Sequence, residues 1–154
     1  MERRMSRAKD IMTKNPAILT LQSSVGEAIG MLIGLDLRHL PVVDEAGSVV
    51  GIVSDRDLRA LAVPRLVDEQ RLGDFRSALA TDIARVMSSV VIAVDEEAET
   101  RVIIEVMLEH KIGAVPVIDQ EGTLVGIVSY IDVLRELRAS RIMYTDEEPR
   151  GVLS

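Results

Sequence analysis

Seventeen residues of this chain occur twice. Pro41–Asp57 (PVVDEAGSVVGIVSDRD) returns as Pro116–Asp132 (PVIDQEGTLVGIVSYID), 75 residues later and without a gap. Ten of the 17 positions are identical. Such agreement marks a duplicated unit. Each copy, roughly 55 residues long, is marginal as an independent domain because small chains bury too little of their surface. The copies are therefore expected to share a core and pack about a pseudo-two-fold axis. Any cleft one copy owns then exists twice, and the two clefts can differ.

The remaining composition narrows the class. Apolar residues make up 47% of the 154-residue chain and aromatics 2%, so the core must be aliphatic. The net charge of −7 opposes a general nucleic-acid surface, which needs a basic stripe with aromatic platforms. Cysteine is absent, which removes disulfides, thiolate nucleophiles and Cys-based zinc sites. His39 and His110 alone do not make a metal cluster, so no metal site is expected. No apolar run reaches membrane-spanning length, and the first residues lack an apolar signal core. A cytoplasmic protein is expected.

Local patterns place the elements. Ala8 to Met12 reads as one helical turn stopped at Asn15-Pro16, and Ala17 to Leu21 as an extended segment. Ser24-Val25-Gly26-Glu27 fits a capping box opening a helix that Gly34 ends. Leu40–Val43 and Val49–Val53 flank the turn Asp44-Glu45-Ala46-Gly47 and predict a hairpin. Both runs are rich in β-branched residues, so both faces are expected to be buried. Ser54 then caps a helix to about Leu61. In the second copy Val90–Val94 is the first strand and Glu99–His110 the helix. Val115–Ile118 and Leu124–Val128 form the hairpin, and a long helix runs from Asp132 to about Arg141. The fold class is α+β, with two β-α-β-β-α repeats at 8–62 and 83–138. A connector at 63–82 is expected to pack through Leu66, Leu72, Phe75 and Leu79. Residues 139–154 are read as a helix end and a flexible acidic tail.

The chain resembles a tandem pair of CBS domains, also called a Bateman module. Three groups of residues carry the likeness in the first copy: Lys9–Thr13 with Pro16, Leu40–Asp44, and Gly51–Asp57. Val86–Ser88, Val115–Asp119 and Gly126–Asp132 carry it in the second. The resemblance covers roughly residues 8 to 138. It implies a regulatory sensor whose inter-repeat clefts take AMP, ADP, ATP, S-adenosylmethionine or related adenosyl compounds, AMP or ATP foremost. It also implies transmission to a regulated protein, and flat disc-like homodimers of parallel or antiparallel arrangement. No catalytic cofactor and no enzyme activity are expected, because neither a nucleophile nor a Gly-rich phosphate loop accompanies the acidic residues. The competing reading is a structural or dimerisation module without ligand.

Ser54 and Asp57, and likewise Ser129 and Asp132, stand at a helix start directly after a strand. Free amides there suit phosphate, and an aspartate can accept from a ribose diol. The same Ser-x-x-Asp is also a capping arrangement that needs no ligand. The family resemblance assigns the Asp to the ribose and basic residues before the Pro-Val strand to phosphate. Arg38 and His39 hold that place in copy one, with Arg56 beside Asp57; copy two has Gly113, Ala114 and Ile131 there. Asymmetric sites follow, with copy one preferring a phosphorylated adenosine. By the same resemblance the adenine slot falls to Thr13, Pro16, Ala17 and Leu40 in copy one. In copy two it falls to Ser88, Val91, Ile92, Ala114 and Val115. Tyr130 is expected to pack at a subunit contact.

Overall fold

A computed structural model describes residues 5–62 and 72–140. The elements run α1 (Ala8–Ile11), β1 (Thr13–Lys14), β2 (Leu19–Thr20), α2 (Val25–Gly34), β3 (His39–Val43), β4 (Val49–Ser54) and α3 (Asp55–Ala62). Then follow α4 (Leu72–Leu79), β5 (Val94–Asp95), α5 (Thr100–His110), β6 (Ala114–Ile118), β7 (Leu124–Ser129) and α6 (Tyr130–Ala139). The strand-helix-strand-strand-helix order thus holds in both repeats. The first strands are shorter than the sequence suggests, two residues each, because only Leu19–Thr20 and Val94–Asp95 reach a partner strand. The last helix begins at Tyr130, with Ser129 as its cap. That helix ends at Ala139 with Ser140 as its C-cap, short of the expected Arg141. The expected packing of Leu66, Leu72 and Phe75 and the acidic tail lie outside what is described.

Local chemistry sets the turns. The Asp44 carboxylate accepts from the amides of Ala46 and Ser48 at 3.0 and 2.9 Å. Asp119 repeats this with Glu121 and Thr123 at 2.9 and 3.0 Å. Gly47 and Gly122 close the two turns at φ 82° and 81°, a backbone region open to glycine. At α2 the Ser24 hydroxyl accepts from the Glu27 amide at 3.1 Å, and the Glu27 carboxylate accepts from the Ser24 amide at 3.3 Å. This is the expected capping box, a device that stabilises by roughly 1 kcal/mol.

The strands form two sheets, β2-β3-β4 and β1-β7-β6-β5. The central strands β3 and β6 are almost wholly buried. β4 and β7 alternate between buried and half-exposed positions, against the expectation that both faces would be covered. β4 meets Ser88 through Ile52 and β7 meets Thr13 through Ile127, so both strands run along the seam between the repeats.

Sheet membership exposes a feature the repeat pattern conceals. β1 belongs to the first repeat in sequence but pairs with β7 of the second, Thr13 opposite Ile127. At the matching place in the other half, Ser88 pairs with Ile52 of β4, each amide donating to the other's carbonyl at 3.0 Å. The repeats exchange their leading segments. The hydrophobic clusters follow the exchange. Ala8, Ile11 and Met12 pack with Val94, Ile103, Val115 and Val128, whereas Ile83, Val86 and Met87 pack with Leu19, Leu32, Leu40 and Val53.

Two glycines secure this arrangement. A Cβ on Gly126 would lie 2.3 Å from Met12 Sδ and 2.9 Å from the Thr13 carbonyl oxygen. A Cβ on Gly51 would lie 2.3 Å from Met87 Sδ and 3.1 Å from the Ser88 carbonyl oxygen. Each methionine therefore lies over the glycine of the other repeat, and only a residue without Cβ admits it. Ser48 bridges Thr123 where the two hairpin turns meet. These positions are equivalent in the repeat, so the pseudo-two-fold axis passes between them.

Candidate ligand-binding site

The hairpin register seats the candidate residues. His39, first in β3, is opposite Ser54, last in β4. The Asp55 amide donates to the Arg38 carbonyl at 2.9 Å. Arg38, His39, Ser54, Arg56 and Asp57 are thereby gathered around the first turn of α3. In the second repeat Ala114 is opposite Ser129, and the Tyr130 amide donates to the Gly113 carbonyl at 2.9 Å. That brings Ser129 and Asp132 to the first turn of α6. Both turns present helix-terminal amides and the positive end of a helix dipole.

The two aspartates are used differently. Asp132 folds back onto its own cap. Its Oδ2 accepts from the Ser129 amide at 2.9 Å and from the Ser129 hydroxyl at 3.0 Å, while its amide donates to Ser129 Oγ at 3.3 Å. The Asp57 amide makes the matching bond to Ser54 Oγ at 3.1 Å, but its carboxylate receives nothing from Ser54. Asp57 is exposed and Asp132 half-buried.

The cations of the first repeat diverge. Successive residues at a strand start point to opposite sides. Arg38 lines an outer groove between α2 and α3 with Asp36, Asp55 and Arg59. His39 turns inward, and its Cε1 lies 3.6 Å from where a Cβ on Gly113 would sit. Arg38 and His39, both expected to face phosphate, thus lie on different sides of β3, and His39 is the one in contact range of the second repeat. Burial lowers its pKa below the ordinary value, Asp55 and then Asp57 oppose that shift, and Arg38 adds to it.

The exchange also regroups the slot residues. Thr13 pairs with β7, the strand that leads into Ser129 and the α6 start, and Ser88 bridges to β4, the strand that leads into Ser54 and the α3 start. Pro16 is half-buried in the crossing between sheets, and Ala17 packs against the first repeat's core. Val91 and Ile92 are half-buried in the reciprocal crossing. Leu40, Ala114 and Val115 have buried side chains, because β3 and β6 are interior strands; they can offer a ligand backbone groups only. Sequence reasoning missed Met12 with Gly126 and Met87 with Gly51, which fix where Thr13 and Ser88 lie. The available signal was that both methionines and both glycines recur at the repeat offset.

Two α+β repeats that trade leading segments across a pseudo-two-fold axis define a tandem-repeat module. The chain belongs to the CBS domain family, whose profile matches residues 8–63 and 81–139. Solved structures with the same fold include CBSX2 of Arabidopsis thaliana in complex with AMP, at 28% identity and TM-score 0.73, covering 88% of this chain and 98% of that one. The CBS domain pair of protein MJ0100 in complex with 5′-methylthioadenosine and S-adenosyl-L-methionine is 30% identical with TM-score 0.71, covering 88% and 98%. A homoserine O-acetyltransferase of Methanocorpusculum labreanum is 31% identical over 121 residues, 79% of this chain but only 22% of that enzyme. A CBS domain-containing protein of Dictyostelium discoideum is 25% identical over 126 residues, 82% of this chain and 87% of the relative. Among the described residues, no helix is long and apolar enough to cross a membrane.

Proposed function

We propose that the protein is a regulatory sensor of adenine nucleotides or adenosyl compounds, acting in the cytoplasm as a homodimer on a separate protein. The observation that carries this is the outward Asp57 carboxylate at the start of α3, beside Ser54 and the inward-facing His39. A carboxylate in that position can accept from a ribose diol while the α3 amides and Arg56 face phosphate. Complexes of similar CBS pairs with AMP, 5′-methylthioadenosine and S-adenosyl-L-methionine support the ligand class. Ser88 belongs with this site and Thr13 with the other, by the exchange of leading segments. The first site takes a phosphorylated adenosine, AMP or ATP. The second, with Asp132 held in its cap, is weak, empty or filled by a less charged adenosyl group. Signalling requires that ligand favours one arrangement of the repeats by differential affinity.

Isothermal titration with AMP and ATP tests this. One dominant site is expected, weakened roughly 10- to 100-fold by Asp57→Ala, the scale of a hydrogen bond to a charged group, and weakened also by Arg56→Ala. Two equal sites that both ignore Arg56→Ala would refute the asymmetry. The closed cap at Asp132 favours a second reading, a structural or dimerisation module without ligand. A thermal-shift panel of adenosine compounds separates the two, since ligand at about 100 times its Kd adds roughly 2.7 kcal/mol and raises the melting temperature by several degrees.

A further inference from the structure

The chain has no cysteine, so a two-electron oxidant meets sulfur only in its seven methionines. Among those in the described residues, Met12 and Met87 stand apart. Met107 is sealed in the second repeat's core at 8% exposure, and Met31 packs within the first repeat. Met12 and Met87 occupy equivalent places at the repeat offset, and both are half-buried. Each lays its Cγ and Sδ over a glycine of the other repeat, Met12 on Gly126 and Met87 on Gly51. Each is followed directly by a candidate ligand residue, Thr13 or Ser88, that pairs with that same repeat.

We infer that Met12 and Met87 are a duplicated, reversible oxidation site: a peroxide converts each thioether to a sulfoxide, which opens the seam between the repeats and weakens the adenosyl clefts. The weakened binding rests on the sensor reading above; the opened seam does not. The Sδ lone pair attacks one oxygen of hydrogen peroxide, the O–O bond breaks and an S–O bond forms. The second oxygen takes up the protons and leaves as water. Sulfur loses two electrons and the peroxide gains them. A sulfoxide reductase reverses the step with two thiols, which become a disulfide while the oxygen leaves as water.

The glycine notch has no place for the added oxygen. Turned into the notch, a sulfoxide oxygen on Met87 meets the Ser88 carbonyl oxygen, which lies 3.1 Å from where a Cβ on Gly51 would sit. Both are acceptors. The amides of Ser88 and Ile52 already donate to each other's carbonyls at 3.0 Å. A buried acceptor without a donor is costly. Turned to water, the oxygen draws the sulfur off the glycine and away from the cluster with Leu40 and Val53. Either way Ser88 loses its seat against β4, which leads into Ser54 and the start of α3. Met12 repeats the geometry over Gly126, with the Thr13 carbonyl oxygen 2.9 Å from the corresponding point. Its oxidation frees Thr13 from β7.

The test treats the whole chain with graded hydrogen peroxide, with and without AMP, and follows each methionine by peptide mass spectrometry. Isothermal titration with AMP and thermal melts compare untreated protein, oxidised protein, and oxidised protein returned by sulfoxide reductases A and B, one for each epimer. Met12 and Met87 should oxidise at doses that spare Met107. AMP should slow oxidation of Met87 but not of Met5, which is 43% exposed. Affinity for AMP should fall roughly 10-fold on oxidation, the weight of about one hydrogen bond, and the melting temperature should drop by several degrees. The reductases should restore both. Met87→Leu, a swap of similar volume, should bind AMP and lose little affinity in peroxide. Restoration by the reductases is read on the unsubstituted chain, so it decides the matter even where leucine disturbs the seam. Complete conversion of Met87 with affinity and melting unchanged would overturn the inference and leave the sensor reading standing. So would Met12 and Met87 that stay reduced once Met5 is fully converted, or an equal fall in affinity in Met87→Leu. Untreated protein that does not bind AMP would count against the sensor reading instead. The melts then decide the seam alone: a drop reversed by the reductases supports it, and no drop overturns it.

Discussion

The starts of α3 and α6 share a Ser-x-x-Asp sequence, a strand register and a bond from the third helical amide to the serine. They differ in where the aspartate carboxylate goes. At α6 it closes a complete capping box with Ser129; at α3 it leaves Ser54 and faces solvent. Around them the same contrast recurs: His39 answers Ala114, and Arg38 answers Gly113. One backbone device can thus be used for stability in one half of a duplicated fold and left open for chemistry in the other. Identity between repeats marks scaffold, and divergence marks the place to look for ligand selectivity.

Substitutions at equivalent positions test whether the two halves differ as their structures indicate. The largest effect is expected where the halves are alike. Gly126→Ala and Gly51→Ala should each destabilise by about 3 kcal/mol, the upper range for overpacking, because the added carbon meets backbone oxygen as well as methionine sulfur. Urea unfolding measures this. Adding Met12→Ala to Gly126→Ala should restore only part of the loss, since the Thr13 carbonyl remains in the way; full restoration would mean the sulfur alone carries the conflict. A smaller and unequal effect is expected at the caps. Asp132→Ala should lower stability by about 1 kcal/mol, and Asp57→Ala by less than half of that. Equal losses in thermal or urea melts would show that Asp57 also caps.

The smallest effect is a pH dependence confined to one repeat. Burial lowers the pKa of His39 in the folded protein, so the unfolded chain takes up a proton more readily. Stability from this group is fully present above its ordinary value of 6.5. It falls as pH drops below that value and stops falling once the folded protein is also protonated. His39→Gln should flatten that segment of the stability–pH curve. Ala114→His, its counterpart, should introduce a similar slope if the two halves offer equivalent surroundings. An unchanged slope in His39→Gln would assign the acid sensitivity to other groups.

Much of the fold was legible because its determinants are local. The Ser24 capping box, the Asp44 and Gly47 turn and the Ser54 and Ser129 caps each depend on residues within four positions. The exchange of leading segments was not legible in the same way. Nothing near Thr13 says that its strand partner is Ile127, since the choice is made by packing across the whole chain. The candidate site residues were legible by type, whereas their placement in space follows from that packing and was not. Arg38 and His39 are neighbours in sequence, yet the strand that follows sends them to opposite sides.

The exchange also bears on how the chain is made. The Thr100 hydroxyl donates to the Ser6 carbonyl, and these residues lie 94 positions apart. β1 waits for β7 near the other end of the fold. α1 and β1 are synthesised before the strand they pair with, so Met12 and Ala8 stay uncovered until the second hairpin has been made. Contacts of such separation slow folding. They also tie the two repeats into a single cooperative unit, so a nascent chain cut short before β7 has no half that is complete.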